Sequence, residues 1–284
     1  MSVSRRKFIQ TTGLFTAAGL MARNELFAGN YKLKNYGIQL WSVKNALAKD
    51  PKDVLKQLAS FGYTQVESFE GSKGIFWGMP PADFKKYMDD LGMKIISSHC
   101  NIEKDFEKKA ADAASIGMKY LICPYKGPQK SIDDFKKIAE EFNQKGEVCK
   151  KNGIRFAYHN HDYSFETKDG QIPQDVMLAN TNPELVDFEM DIYWVVTAGA
   201  DPVAYAKKYK NRFRLGHVKD RIKNTTEKDA SCTLGEGSID YPSMLKKLKA
   251  EGMEYFIVEQ ERYDNTTEMD SAKADAKYMS MLSV

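Results

Sequence analysis

The chain has 284 residues, 42% hydrophobic and 29% charged, a composition that excludes a disordered chain, a collagen-like chain and a polytopic membrane protein. Its formal charge of +3 comes from 42 Lys+Arg against 39 Asp+Glu, and Arg5, Arg6, Lys7 and Arg23 against Glu25 account for all of it. The remaining body is neutral and has no net field to gather a phosphate backbone, so a nucleic-acid partner is not expected.

In chain order, the first element reads as an address rather than as structure. Ser4-Arg5-Arg6-Lys7-Phe8-Ile9 precedes a mildly apolar run from Thr11 to Ala22, and Leu26-Phe27-Ala28 offers a small-residue cut. Residues 1–28 therefore resemble a twin-arginine export signal, which implies an exported, periplasmic protein. The run is too short and too weakly apolar for a stable membrane span.

Residues 29–284 then carry eight short β-prone runs, each followed by a longer segment with helical spacing. The runs are Tyr36–Trp41, Thr64–Phe69, Lys94–His99, Tyr120–Pro124, Ile154–His159, Leu185–Met190, Phe213–Val218 and Tyr255–Glu259. Asp50-Pro51, Pro80-Pro81, Ser131, Asp201-Pro202 and Asp240 mark helix starts, whereas Gly62, Gly92, Gly153 and Gly252 mark stops before the next strand. Such alternation predicts a parallel sheet, and eight units in about 250 residues predict a single α/β domain, a closed (β/α)8 TIM barrel. Gly235-Glu236-Gly237 reads as a turn. Cys100, Cys123, Cys149 and Cys232 contain no CxxC pair, which argues against a disulfide framework or a zinc-thiolate site.

All four histidines, His99, His159, His161 and His217, fall at C-terminal strand ends, the face where barrels of this kind build active sites. Carboxylates accompany them: Glu67 on the second strand, Asp187, Glu189 and Asp191 on the sixth, and Glu259 on the eighth. Side chains alternate along a strand, so inward-facing His159, Asp191, His217 and Glu259 converge from four successive strands. A His/Asp/Glu set without thiolate suits one divalent ion such as Mn²⁺, Zn²⁺, Co²⁺ or Mg²⁺. That ion would polarise adjacent oxygens of a substrate and stabilise an enediolate.

Five segments carry a family resemblance: Gly37-Ile-Gln-Leu-Trp-Ser-Val, Tyr158-His-Asn-His-Asp, Phe188-Glu-Met-Asp-Ile-Tyr-Trp, Gly216-His-Val-Lys-Asp and Ile257-Val-Glu-Gln-Glu. The chain resembles the sugar phosphate isomerase/epimerase family with the xylose isomerase-like TIM barrel. The resemblance implies a metal-dependent sugar isomerase or epimerase that abstracts a proton next to a carbonyl. It carries over Asp191, His217 and Glu259 as metal ligands. His159 stands where relatives have a glutamate, so one of the two acid–base carboxylates used for epimerisation is missing. Glu259 remains as base, with His161, His99 or Lys219 as proton donors. An elimination of the 3-keto-glycoside lyase or dehydratase type fits the same one-sided arrangement.

Gln39, Trp41, Glu67, His99 and Trp77 are the expected substrate contacts, and Trp194, beside Val195 and Val196, is expected in the core. Export and the lack of a phosphate-cradling loop favour a non-phosphorylated sugar or keto-sugar. A non-catalytic carbohydrate-binding protein is the competing reading. A nuclease is disfavoured by the neutral body, and the sequence leaves the oligomeric state open.

Overall fold

A computed structural model describes residues 32–284; the expected export signal at 1–28 lies outside them. Eight parallel strands close into one barrel: β1 (Gly37–Gln39), β2 (Gln65–Phe69), β3 (Lys94–His99), β4 (Tyr120–Cys123), β5 (Arg155–His159), β6 (Val186–Asp191), β7 (Phe213–Val218) and β8 (Tyr255–Val258). Each strand pairs with its sequence neighbours, and β1 closes the ring against β8. No described helix is long and apolar enough to cross a membrane.

The helix boundaries follow from local chemistry. Asp50, Ser131, Asp201, Asp240 and Thr267 each accept a backbone N–H from the first turn of the helix that follows. Gly252 ends the helix Tyr241–Ala250 with φ +111°, and a Cβ there would strike Asn211. Strands β2, β4 and β5 are each one residue shorter than the sequence pattern predicts, and β1 and β8 also stop early. The backbone of β1 turns after Gln39 because the Gln39 side chain caps the 3₁₀ turn Leu40–Val43 by accepting the Trp41 N–H. Strand β8 ends at Val258, which leaves Glu259 just beyond the sheet, still tied by its N–H to the Val218 carbonyl.

The interior is divided. A large apolar layer lies between strands and helices. Inside the barrel, Tyr120, Ile122, Ala157, Leu215 and Ile257 form a separate small plug. Toward the N-terminal strand ends, Arg155 pairs with Asp187, Nη2 to Oδ1 at 2.9 Å. Inward-facing positions then run upward in steps of two: Ala157 to His159, Asp187 through Glu189 to Asp191, Leu215 to His217, and Ile257 to Glu259. The plug thereby forms a floor beneath a polar mouth.

The long segment after β7 is shaped around Asp220. This buried carboxylate accepts the N–H groups of Gly235, Gly237 and Ile239 at 3.0–3.1 Å. The Gly235-Glu236-Gly237 turn is thus specific: a Cβ at Gly237 would collide with Asp220. Asp275, on the helix Glu268–Met281, supports the same segment by accepting the Leu234 N–H at 2.8 Å. Burial pushes the Asp275 carboxyl up to about 7, against the Leu234 hydrogen bond that favours its charged form. Its folded pKa lies above its ordinary 3.8, so the stability it contributes is fully present below that value and is lost as pH rises through about 7. The melting temperature of Asp275→Asn relative to the native chain is therefore expected to rise between about pH 5 and about pH 8. An offset in melting temperature that stays flat across that window would contradict this account.

Candidate metal centre and active site

The C-terminal strand ends deliver the mouth residues. His159 closes β5, Asp191 closes β6, His217 lies on β7 and Glu259 follows β8. One ligand atom from each lies within 4.8 Å of the others. His159 Nε2 is 3.4 Å from Asp191 Oδ2, and His217 Nδ1 is 3.2 Å from Glu259 Oε2 and 3.8 Å from Asp191 Oδ2. All four side chains are buried.

These residues fit a divalent cation on their own chemistry. His159 Nε2 and Asp191 Oδ2 are both buried and both without a hydrogen-bond partner. Two orphaned groups at this separation in a dry site are costly unless something joins them. Burial, reinforced by His217 and His99, pushes His159 down to about 3, so its ring is neutral and keeps a lone pair to donate. Burial raises Asp191, and Lys219 and His217 oppose that rise. Glu259 is also desolvated, but Lys219 and His217 outweigh burial and hold it well below the usual carboxylate range.

A second convergence lies among Glu67, His99, Glu189 and His217, which also meet within 4.8 Å. Glu67 is fully buried. Its carboxylate accepts from Gln39 Nε2 at 2.8 Å, His217 Nε2 at 2.7 Å and the Ser97 hydroxyl. Burial would raise its pKa, yet His99 and His217 hold it well below the usual range.

Lys219 is enclosed among carboxylates, with Nζ 3.3 Å from Glu259 Oε2, 3.8 Å from Asp191 Oδ2 and in contact with Glu261. Burial lowers its pKa, but Glu259, Asp191 and Glu261 win and keep the ammonium charged. It also packs against the rings of Tyr193 and Trp194.

Above these groups opens a cavity of about 590 Å³. His99, His159, Glu259 and Glu261 form its polar lining, and Trp41, Phe69, Tyr125, His161 and Trp194 supply aromatic walls. Trp41 and Phe69 meet edge to face at 5.0 Å, and the Trp41 indole Nε1–H donates to Glu261. His161 stacks on Tyr163 and lies 5.6 Å from Trp194. Burial pushes His161 down to about 3, which leaves it neutral.

The structure thus brings His159, Asp191, His217 and Glu259 together as expected, and places His99, His161 and Trp41 on the cavity. Three expected substrate contacts do not line it. Gln39 is fully buried, with its amide spent on Glu67 and the Trp41 N–H. Glu67 lies in the second group, surrounded by its own donors. The Trp77 N–H donates to Ser68 Oγ, and its ring packs against Phe69 from the far side of the lining. Lys219 likewise does not line the cavity. Trp194 packs in the core as expected and also lines the cavity. Sequence reasoning assigned no role to Glu189 or Glu261, although each sits two residues from a metal-ligand candidate and so shares its face of the strand pattern.

Comparison with known proteins agrees with the geometry. Residues 55–281 match the family described as xylose isomerase-like TIM barrel. A crystal structure named sugar phosphate isomerase/epimerase, from Parabacteroides distasonis, is 32% identical, with a TM-score of 0.76 over 87% of this chain and 97% of that one. A zinc-bound protein named IolI shares the fold at 13% identity and a TM-score of 0.70, over 86% of this chain and 95% of that one. Inosose dehydratase of Clostridium perfringens is 29% identical over 145 residues, 46% of this chain and 48% of the relative. The chain thus spans about half the length of the curated relatives it matches.

The mouth site predicts its own removal experiment. Exhaustive chelation is expected to lower the melting temperature, and Zn²⁺ or Mn²⁺ at about 100 times its dissociation constant to restore about 2.7 kcal/mol. Asp191→Asn is expected to lose the part of that response that comes from the mouth site in the same thermal scan.

Proposed function

Because the chain belongs to the xylose isomerase-like TIM barrel family, we propose that it is a divalent-metal-dependent enzyme that removes a proton next to the carbonyl of a non-phosphorylated keto-sugar or keto-polyol, with elimination of a neighbouring hydroxyl as its reaction. The observation that carries this reading is the replacement of a strand-five carboxylate by neutral His159. A symmetric pair of carboxylates suits epimerisation, in which one side takes a proton and the other returns one. Here the strand-five carboxylate that would face Glu259 is absent, and Glu259 serves as base on one side. The partial likeness to proteins named inosose dehydratase supports the same choice.

The chain's own residues divide the work. Glu259 is held ionised by Lys219 and His217, as a base must be before it accepts a proton. It takes the proton from the carbon next to the carbonyl. The carbon–oxygen bond of the adjacent hydroxyl breaks as the carbon–carbon double bond forms. Glu259 returns the proton to the departing oxygen, which leaves as water. A cation on His159, Asp191, His217 and Glu259 would supply Lewis-acid polarisation of the carbonyl. Lys219 keeps Asp191, Glu259 and Glu261 from repelling one another. The aromatic walls and neutral His161 hold the ring of the substrate and exclude water.

Charge selects against phosphate. The residues that line the cavity include Glu70, Glu259 and Glu261 and neither lysine nor arginine. A phosphate dianion would meet carboxylates with no lysine or arginine on the lining to pair with it. Phosphorylated analogues are expected to inhibit turnover on the order of tenfold more weakly than the corresponding free keto-sugars in a competition assay.

A keto-polyol and keto-sugar panel in D₂O tests the reaction. Elimination yields a product lighter by one water, whereas isomerisation returns an isobaric sugar carrying solvent deuterium. Glu259→Gln is expected to reduce kcat by about 10²–10⁴-fold while the fold is retained, because it removes a proton acceptor and keeps the shape. Native turnover by that variant would remove Glu259 from the mechanism.

A further inference from the structure

We propose that Glu67, His99, Glu189 and His217 form a second divalent-cation site beneath the mouth, joined to the first through the two ring nitrogens of His217. Glu67 Oε1 is 2.7 Å from His217 Nε2 and 3.1 Å from His99 Nε2. Glu189 Oε2 is 2.7 Å from His99 Nε2 and 3.3 Å from His217 Nε2. Each carboxylate oxygen therefore faces both rings, and the four atoms bound a small tetrahedron. Tetrahedral bonds of about 2.0–2.1 Å require ligand–ligand edges of roughly 3.4 Å. The observed edges run from 2.7 to 3.3 Å, hydrogen-bond lengths that fall up to about 0.7 Å below that value, so the side chains must rotate apart to admit an ion.

A second observation points the same way. Glu189 is fully buried, and its Oε1 has no hydrogen-bond partner. A carboxylate oxygen left without a partner in a buried position is costly, and a cation held by Glu189 would give it one. In the metal-free chain, protons on His99 and His217 face Glu67 and Glu189; a divalent ion would displace those protons and balance the two carboxylates itself. The surroundings are also those of a ligand: Gln39 Nε2 and Ser97 Oγ fix the two oxygens of Glu67, as outer hydrogen bonds fix the carboxylates of metal sites. His99 lines the cavity and provides the route of entry.

His217 links the two seats. Its Nε2 faces Glu67 and Glu189, and its Nδ1 faces Asp191 and Glu259. With one seat filled it ligates as a neutral ring. With both filled it bridges as imidazolate, its last ring proton having gone to solvent.

Titration of the metal-free full-length chain with Zn²⁺, followed by elemental analysis, tests the proposal without any activity assay. Two ions per chain are expected for the native protein, and one each for Glu189→Gln and Asp191→Asn, with native circular dichroism in both. Co²⁺ in Asp191→Asn should show the intense visible bands of a tetrahedral site, and those bands should be lost on adding Glu189→Gln. One ion per chain that is indifferent to Glu189→Gln, or that is lost from Asp191→Asn, overturns the second site. A single ion that survives Asp191→Asn but not Glu189→Gln supports the second site and removes the mouth reading instead. If Glu189→Gln does not fold, Glu67→Gln reads out the same loss.

Discussion

Uncompensated negative charge in a dry space governs this molecule. Glu67, Glu189, Asp191 and Glu259 are all buried at the top of the barrel, where water does not screen them. Their countercharges are few: the ammonium of Lys219 and protons on His99 and His217, both of which neighbouring carboxylates raise against the effect of burial. His159 takes no part in that compensation, because burial and its imidazole neighbours keep it neutral. The set therefore has ligands to spare and a charge deficit, and a divalent cation relieves both.

The barrel is the device that sustains such a concentration of charge. The plug of Ile122, Ala157, Leu215 and Ile257 closes the interior below, so the acids cannot be hydrated from that side. The outer helices bury the apolar face of every strand and hold the strand ends in register. Capping then becomes part of the site. Asp191 accepts the Trp194 N–H through Oδ1, which starts the helix Ile192–Thr197 and leaves Oδ2 at the mouth. Gln39 caps its own turn and orients Glu67 with the same amide. The strand-end caps and the ligand geometry are thus set by the same side chains.

Under the proposed function, substrate selection follows from what surrounds this charge. Aromatic faces suit the apolar flank of a sugar ring. Acidic groups without a free lysine or arginine suit neutral hydroxyls and disfavour phosphate. Proteins of similar fold are named for sugar phosphate isomerisation and for inosose dehydration, which shows that the scaffold does not decide the reaction. In the function proposed above, the strand-five position and the charge of the cavity lining discriminate within this chain.

The eight strand–helix units, their boundaries to within a residue or two, and the rim position of every histidine were legible in the primary structure. They rest on local physics: alternation of side chains, capping residues before helices, and glycine after them. Asp191, His217 and Glu259 were legible for the same reason, since position along a strand fixes both height and face in a barrel. The sequence alone did not reveal that Glu67 turns to His217 rather than to substrate, that Trp77 lies outside the cavity while Trp194 lines it, or that Glu189 completes a second quartet. Those outcomes depend on which side chains meet across the ring from strands far apart in the chain, as Glu67 and His217 do over 150 positions. Periodicity determines what each strand presents, and closure of the barrel decides what it meets.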